Sequence, residues 1–222
     1  MKLKKLPIGE SNLKSIITGN FVYVDKTNII YELLTSSKYF FLSRPRRFGK
    51  SLLISTLEEI FKGNKELFKN LWIYDSDYDW PIYPIIRIDF NQILFGSPQE
   101  LEDGLMKHIR DIGLCYEINL SQDNPKYLLM ELVDLLFKKY NQNVVVLIDE
   151  YDKPIIGHLG AGENELNTAK QNRDVLKSFF GTLKGADVIS KLRFVLLTGV
   201  SKFSKAGVFS ELNNLFDLTM DS

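Results

Sequence analysis

The stretch 43-SRPRRFGKSLL-53 decides the fold of this 222-residue chain. Gly49, Lys50 and Ser51 match the end of the phosphate-binding pattern G-x-x-x-x-G-K-[ST], the P-loop, but Arg44 stands where that pattern has its first glycine. A P-loop works because consecutive backbone N–H groups point into one concavity at the N-terminus of a helix. The glycine before the lysine is the essential one, since a side chain there would collide with phosphate. We therefore predict a working P-loop in spite of Arg44.

The residues around the loop supply the expected flanks and charges. The apolar run KYFFLS (38–43) precedes it as a strand, and SLLISTLEEIFKG (51–63) follows with apolar residues at helical spacing. Lys50 would place its charge on the β and γ phosphates of ATP, and the Ser51 hydroxyl would bind Mg²⁺. The guanidinium of Arg44 is expected to lie outside the loop, paired with a carboxylate or facing a phosphate from a neighbouring domain. The other predicted nucleotide-binding residues of the loop are Arg46, Arg47, Phe48, Gly49 and Leu52.

A second motif, VVVLIDEYDKP (144–154), ends an apolar strand in two acids. Its first half is apolar throughout, which is typical of a strand buried on both faces of a parallel sheet. Asp149 has the Walker B position and is predicted to hold Mg²⁺ through water, alongside Ser51. Glu150 is predicted to orient the attacking water, so that Glu150 and Lys50 are the candidate catalytic residues.

The end of this motif and the polar stretch after it lead to two further predictions. Asp152 and Lys153 are expected to form an ion pair at the turn, and Pro154 indicates that the chain leaves the sheet there. The polar, glycine-containing stretch GHLGAGENELNTAKQN (157–172) has the composition of a mobile loop or a partly disordered insertion.

The remaining periodic segments alternate between strands and helices. They are the strands PIIRIDF (84–90), RFVLLTG (193–199) and FDLTM (216–220), and the helices KYLLMELVDLLFKKY (126–140) and RDVLKSFFGTLKG (173–185). This alternation predicts an α/β P-loop NTPase three-layer sandwich with a mostly parallel sheet. The strand inserted before the Asp149 strand, together with Glu150, indicates the additional-strand, catalytic-glutamate class, with strand order 5-1-4-3-2. Thr198 at the end of the fourth strand is then a candidate sensor of the γ-phosphate, unless it is a strand-terminal threonine with no such role.

Composition excludes several classes of protein. The chain is 45% hydrophobic and 25% charged, and its 28 basic and 28 acidic residues give no net charge that would indicate nucleic acid or an acidic membrane surface. The single cysteine, Cys115, allows no internal disulfide and fits a reducing compartment. The N-terminus lacks the apolar region of a signal peptide, and no apolar run approaches the roughly 20 residues that span a bilayer. We therefore expect a cytoplasmic location without a membrane partner.

Four stretches, taken in chain order, resemble the bacterial AAA-ATPase-like family. They are PIGESNLKSIITGNFVYVDKTNIIYELL (7–34), FFLSRPRRFGKSL (40–52), VVVLIDEYDKPI (144–155) and FVLLTGVSKFSKAGVFSELNNLFDLT (194–219). The family is related to signal-transduction ATPases with numerous domains and to archaeal-type ATPases, and it carries arginine at the position of Arg44. The resemblance implies ATP or ADP and Mg²⁺ as ligands. It also implies a C-terminal PD-(D/E)xK nuclease-like domain or DNA as a partner; the chain has no [DE]-x-K triplet, so that nuclease core and the helical lid are expected to lie outside it.

The resemblance also divides the chain into an N-terminal segment, 1–37, near the adenine, and an ATPase core, 38–222. In related ATPases this segment lies beside the base, so Tyr23 is a candidate to stack on it and Asp25 or Lys26 to bond it. The alternative is that Asp25 or Thr27 caps the next helix. No arginine follows Arg193, so Lys202, Lys205, Arg46 or Arg47 are candidates to supply the charge of an arginine finger, and Asn213 and Asn214 to face the γ-phosphate.

The function that these motifs predict is Mg²⁺-dependent binding and hydrolysis of ATP by a regulatory domain. One alternative is a nucleotide-gated switch with negligible turnover. The other is a DNA-associated module that controls a nuclease domain.

Overall fold

The computed structural model describes residues 4–160, 162–201 and 215–219, and its centre is a five-stranded sheet in which every strand pair is parallel. The strands are β1 (Tyr39–Ser43), β2 (Ile85–Asp89), β3 (Val144–Asp149), β4 (Leu192–Gly199) and β5 (Phe216–Asp217). Their order across the sheet is β2-β3-β4-β1-β5, which reads 5-1-4-3-2 from the β5 edge. Strand β4 therefore lies between the loop strand β1 and the Asp149 strand β3, as predicted.

Helices cover both faces of this sheet. In the described ranges they are α1 (Leu13–Thr18), α2 (Thr27–Ser36), α3 (Lys50–Phe61), α4 (Pro98–Cys115), α5 (Pro125–Tyr140), α6 (Lys153–Ile156), α7 (Glu163–Gly181) and α8 (Ala186–Ile189). Short 3-10 turns at Lys65–Phe68, Trp72–Asp75, Phe90–Gln92 and Thr182–Lys184 connect some of them. Helices α4 and α5 begin in the same way, because the side chains of Ser97 and Asn124 each accept a backbone hydrogen bond and each residue is followed by a proline.

The apolar run of β3 is explained by the two cores that meet on it. Val146 and Ile148 belong to the core formed with α4, α5 and α7, whereas Val145 and Leu147 belong to the core formed with α1, α2 and α3. All six residues of β3 are buried because both faces of the strand are covered. The result is an α/β sandwich with a parallel sheet as its middle layer.

The prediction of a mobile loop over 157–172 is wrong for the part that α7 includes. Helix α7 begins at Glu163, and acidic residues in its first turn favour the positive end of the helix dipole. The buried Asn172 donates from its side-chain amide to the Phe95 and Pro154 carbonyls, at 2.9 and 3.0 Å. Tertiary contacts of polar residues thus hold a segment whose composition resembles that of a loop.

Candidate nucleotide site

The predicted phosphate-binding loop, residues 44–51, joins the carboxyl end of β1 to the first turn of α3. Gly49 has a left-handed backbone, with φ +78°, and a Cβ built on it would meet nothing within 4 Å. The glycine is therefore required by its backbone angle, and the space in front of it is open. Arg47 is also left-handed, with φ +69°. These angles turn the loop into the helix.

Lys50 is buried beneath the loop. Its ammonium donates to the Arg44 and Pro45 carbonyls, at 2.9 and 3.1 Å. The exposed fraction of the residue is only 6%, so the cation lies inside the curve of the loop. Helix α3, which begins at this residue, is 12 residues long and points the N–H groups of its first turn at the same region.

The other loop residues divide by exposure. Arg46, Arg47 and Phe48 are exposed, whereas Ser51 and Leu52 in the first turn of α3 are partly buried. The two guanidinium groups are therefore available to an anion that approaches from solvent.

Arg44 lies outside the loop, as predicted, but its partner is neither a carboxylate nor a phosphate. Its guanidinium donates to the backbone carbonyl of Thr219, just after β5. The Thr219 hydroxyl accepts from the Ser43 N–H at 3.1 Å, and the Arg44 N–H donates to the Gly199 carbonyl at 3.2 Å. Arg44 thus joins the start of the loop to the neighbouring strands.

Asp149 and Thr198 meet at the carboxyl edge of the sheet. The Thr198 hydroxyl donates to Asp149 Oδ1 at 2.5 Å, and both residues are buried, with exposed fractions of 1% or less. Thr198 pairs with Leu42 of β1, just before the loop. The candidate metal ligand, the candidate sensor and the end of the loop strand therefore occupy one edge.

Glu150 has an uncommon backbone. It is partly buried, and its φ of +54° lies in the left-handed region, which costs most side chains of order 1 kcal/mol. Its carbonyl accepts from the Lys153 N–H at 3.0 Å, which closes the turn after β3. The chain therefore turns sharply at the residue next to Asp149.

The expected ion pair between Asp152 and Lys153 is not formed. The Lys153 ammonium donates to the side chain of Asn91, and the buried Asp152 accepts backbone N–H groups of Val200 and Ser201. The sequence did mark Asp152 by its place after the two acids, but its true partners lie 48 and 49 residues away along the chain.

Tyr23 and Asp25 lie on the α1–α2 side of the molecule. Tyr23 is partly buried there beside Thr56 of α3, and burial raises the pKa of its hydroxyl. Asp25 Oδ1 accepts from the Thr27 N–H and hydroxyl, at 2.8 and 2.7 Å, and Asp25 Oδ2 accepts from the Trp72 N–H at 2.7 Å. Asp25 therefore bonds the first residue of α2, as the helix-end alternative expected, although the N-cap position itself is Lys26.

The profile of a protein family described as "Predicted AAA-ATPase" matches residues 7–209, which is most of the chain. The chain belongs to this predicted AAA-ATPase family. A relative from Azotobacter chroococcum mcd 1, described as an uncharacterized protein in the vnfD 5' region, is 39% identical over 224 aligned residues. The alignment covers 100% of this chain and 42% of the relative, so the chain spans less than half the length of that family member.

Membership in the predicted AAA-ATPase family supports nucleotide binding. The candidates Lys202, Lys205, Asn213 and Asn214 lie outside the described residues.

Within the described ranges, no helix combines the length and the apolar character needed to cross a bilayer.

Proposed function

We propose that the chain binds ATP together with Mg²⁺ and hydrolyses it, as the regulatory ATPase domain of a larger protein. The observation that carries the proposal is the contact of Thr198 with Asp149 at the sheet edge where the Lys50 loop begins. A γ-phosphate lying between the loop and this pair would meet a cation, a hydroxyl and a carboxylate-bound metal at once. Residues that suit those roles come from three separate elements.

The phosphates would be bound by the loop and the start of α3. The open space before Gly49 admits them, and the N–H groups of the helix end favour negative charge. Lys50 would move its ammonium from the Arg44 and Pro45 carbonyls to the β and γ phosphates. Arg46 and Arg47 are exposed beside the loop and would add charge from within the same chain.

The donor set fits Mg²⁺. Ser51 offers a hydroxyl and Asp149 a buried carboxylate, and hard oxygen donors of this kind suit that ion. The described part of the chain contains no cluster of three or more histidine, cysteine or acidic side chains placed to hold a metal. A nucleotide-bound Mg²⁺ needs none, because phosphate oxygens and water complete its coordination. When bound, the ion would neutralise charge that develops on the phosphates.

Glu150 is the proposed general base. It directly follows Asp149 in the sequence, at a left-handed turn, and a carboxylate there can take a proton from water that attacks the γ-phosphate. For the adenine of ATP we propose contact with the ring of Tyr23, on the side of the molecule formed by residues 1–37. Asp25 is less suited to this contact because both of its carboxylate oxygens already accept hydrogen bonds.

The test is ATP binding by calorimetry and phosphate release by the purified chain, each with and without Mg²⁺. Binding that requires Mg²⁺ and steady phosphate release support the proposal. Absence of ATP binding at millimolar concentrations would reject it. Because the chain spans less than half the length of its relative, control of a nuclease-like domain or of DNA stays a separate proposal, which a salt-dependent DNA titration tests.

A switch with negligible turnover is the second candidate function. The observation that favours it is that the chain just after β4 is bonded to two other parts of the site: the Ser43 hydroxyl of β1 donates to the Val200 carbonyl, and Asp152 in the turn after β3 accepts from the Val200 N–H. ATP binding without phosphate release above the uncatalysed rate would select this alternative.

A further inference from the structure

The dipeptide Val200–Ser201 is held by side chains from two other parts of the site. Asp152 Oδ2 accepts from the Val200 N–H at 2.9 Å and from the Ser201 N–H at 2.6 Å. The Ser43 hydroxyl donates to the Val200 carbonyl at 3.1 Å, and the Tyr151 hydroxyl donates to the Ser201 carbonyl at 3.1 Å. All four backbone polar groups of the dipeptide are therefore bonded by side chains. We call this arrangement the 200–201 clamp.

The clamp is closely packed. A Cβ built on Gly199 would lie 2.5 Å from the Tyr151 ring and 2.9 Å from Asp152 Oδ1. The Tyr151 N–H also donates to the Thr198 carbonyl at 3.1 Å. The end of β4, which carries Thr198, is thus fixed to the turn that carries Asp152.

One carboxylate oxygen of Asp152 is not used to hold the 200–201 clamp. Its exposed fraction is 0%, and its Oδ1 has no hydrogen-bond partner among the described residues. A buried carboxylate oxygen without a partner is costly, and such groups concentrate at functional sites. Burial raises the pKa of Asp152, while its backbone hydrogen bonds and the positive charge of Lys50 oppose that effect.

We propose that Asp152 is a positioning residue that holds Val200 and Ser201 directly after Thr198 and couples the state of the nucleotide to the end of β4. The proposal rests on the proposed function. In the structure Lys50 bonds the Arg44 and Pro45 carbonyls, and phosphate would draw it away from them. The Arg44 N–H donates to the Gly199 carbonyl, which belongs to the same peptide group as the Val200 N–H that Asp152 holds, so a change in the loop reaches the clamp directly.

A matched control separates this role from simple support of a turn. Glu131 Oε2 also accepts two consecutive backbone N–H groups, those of Ser121 and Gln122, at 2.9 and 3.2 Å. It lies on α5, outside the proposed nucleotide site. Asp152→Asn and Glu131→Gln each keep the shape of the side chain and remove its charge. Asp152 is buried and Glu131 is partly exposed, so their costs to folding can differ, but a purely structural carboxylate leaves the response to ATP intact in both variants.

The experiment uses the whole chain with Mg²⁺ and ATP, and measures affinity by calorimetry, kcat and KM by phosphate release, and amide hydrogen exchange of the peptide that contains 200–201. In wild type, ATP should slow this exchange, because ligand contacts at Lys50 and Thr198 restrict opening of the clamp. Asp152→Asn should keep affinity within about threefold, lower kcat at least roughly tenfold and abolish the response of the exchange to ATP. Glu131→Gln should behave as wild type in all three measurements.

Each failure has a distinct meaning. If wild type does not bind ATP, the proposed function fails, and this inference with it. If wild type binds ATP and Asp152→Asn keeps both the wild-type kcat and the exchange response, only the inference is wrong. Equal losses in Glu131→Gln also overturn it. If wild type binds ATP without turnover, the exchange response alone tests the inference, and a response in Asp152→Asn equal to that of wild type rejects it. If Asp152→Asn does not fold, Ser43→Ala tests the opposite corner of the clamp, and a wild-type exchange response there rejects the proposal.

Discussion

The guanidinium of Arg44 donates to the backbone carbonyl of Thr219, so this side chain lies against the chain after β5 and not in the concavity that Gly49 faces. The arginine that replaces the first glycine of the common pattern therefore joins the loop to the edge of the sheet. It leaves the region in front of the Lys50 ammonium free for phosphate.

Arg44→Gly should keep nucleotide affinity within roughly tenfold, about 1.4 kcal/mol, because the side chain does not enter the phosphate region. The variant should unfold at a lower temperature, since the bond to Thr219 is lost and glycine adds freedom to the unfolded chain. Calorimetric titration with ATP and a thermal melt measure the two effects. A fall in affinity by several orders of magnitude would show that Arg44 contacts phosphate directly.

Lys50→Ala should remove most of the triphosphate affinity and leave the fold intact. Among the described residues the ammonium bonds only the Arg44 and Pro45 carbonyls of its own loop, so the cost to folding is small. Lys138→Ala is the control, because Lys138 is an exposed lysine of α5 paired with Asp134. Unchanged ATP binding by Lys50→Ala, with a wild-type melt, would contradict the assignment of the loop.

Glu150→Gln should keep ATP bound while hydrolysis slows by roughly 10²-fold or more, the usual contribution of a general base. Glutamine preserves the size of the side chain and tolerates the left-handed backbone about as well as glutamate does. Phosphate release under saturating ATP checks the rate, and calorimetry checks the binding. Turnover at the wild-type rate would remove Glu150 from the catalytic residues.

The stability of the chain should fall as pH rises above the ordinary pKa of histidine, because of His158. Its ring nitrogens face the Glu165 carboxylate and the Phe95 carbonyl, and only the imidazolium can donate to both. Burial lowers the pKa of His158, but these bonds outweigh it, and the folded-state pKa is raised above 6.5. The stabilisation is complete below pH 6.5 and is lost as pH rises through the folded-state value.

The free energy of unfolding, measured by urea titration at a series of pH values, should show this loss in wild type. His158→Gln should flatten that part of the curve. His108→Gln, which removes the other histidine, should leave it in place. An unchanged slope in His158→Gln would contradict the assignment.

Local patterns were enough to predict the loop, its flanking elements and the burial of β3. The unbroken apolar run of β3 is typical of a strand covered on both faces, and Gly49 with Lys50 marked the start of α3. The position of β4 between β1 and β3 followed from the class of the motifs and not from any local signal. These features depend on residues close together in the sequence or on a fold shared by many proteins.

Contacts between distant residues were not accessible from the sequence. The polar start of α7 resembled a loop because its stability comes from Asn172, whose partners are carbonyls elsewhere in the chain. Asp152 was assigned to its neighbour Lys153, whereas both side chains bond residues far along the sequence. The bond between Thr198 and Asp149 likewise depends on the register of β3 and β4.

The two hydrogen bonds from Lys50 to the Arg44 and Pro45 carbonyls have a kinetic consequence. The loop is already turned by the left-handed Arg47 and Gly49, so capture of ATP exchanges these two hydrogen bonds of the lysine and does not require the loop to refold. The exposed Arg46 and Arg47 attract an anion from a distance. The association rate should then be set by electrostatic encounter and fall as ionic strength rises. Dissociation of the nucleotide should be faster for the same reason, since the Lys50 ammonium can form its hydrogen bonds to the Arg44 and Pro45 carbonyls again as the phosphate leaves.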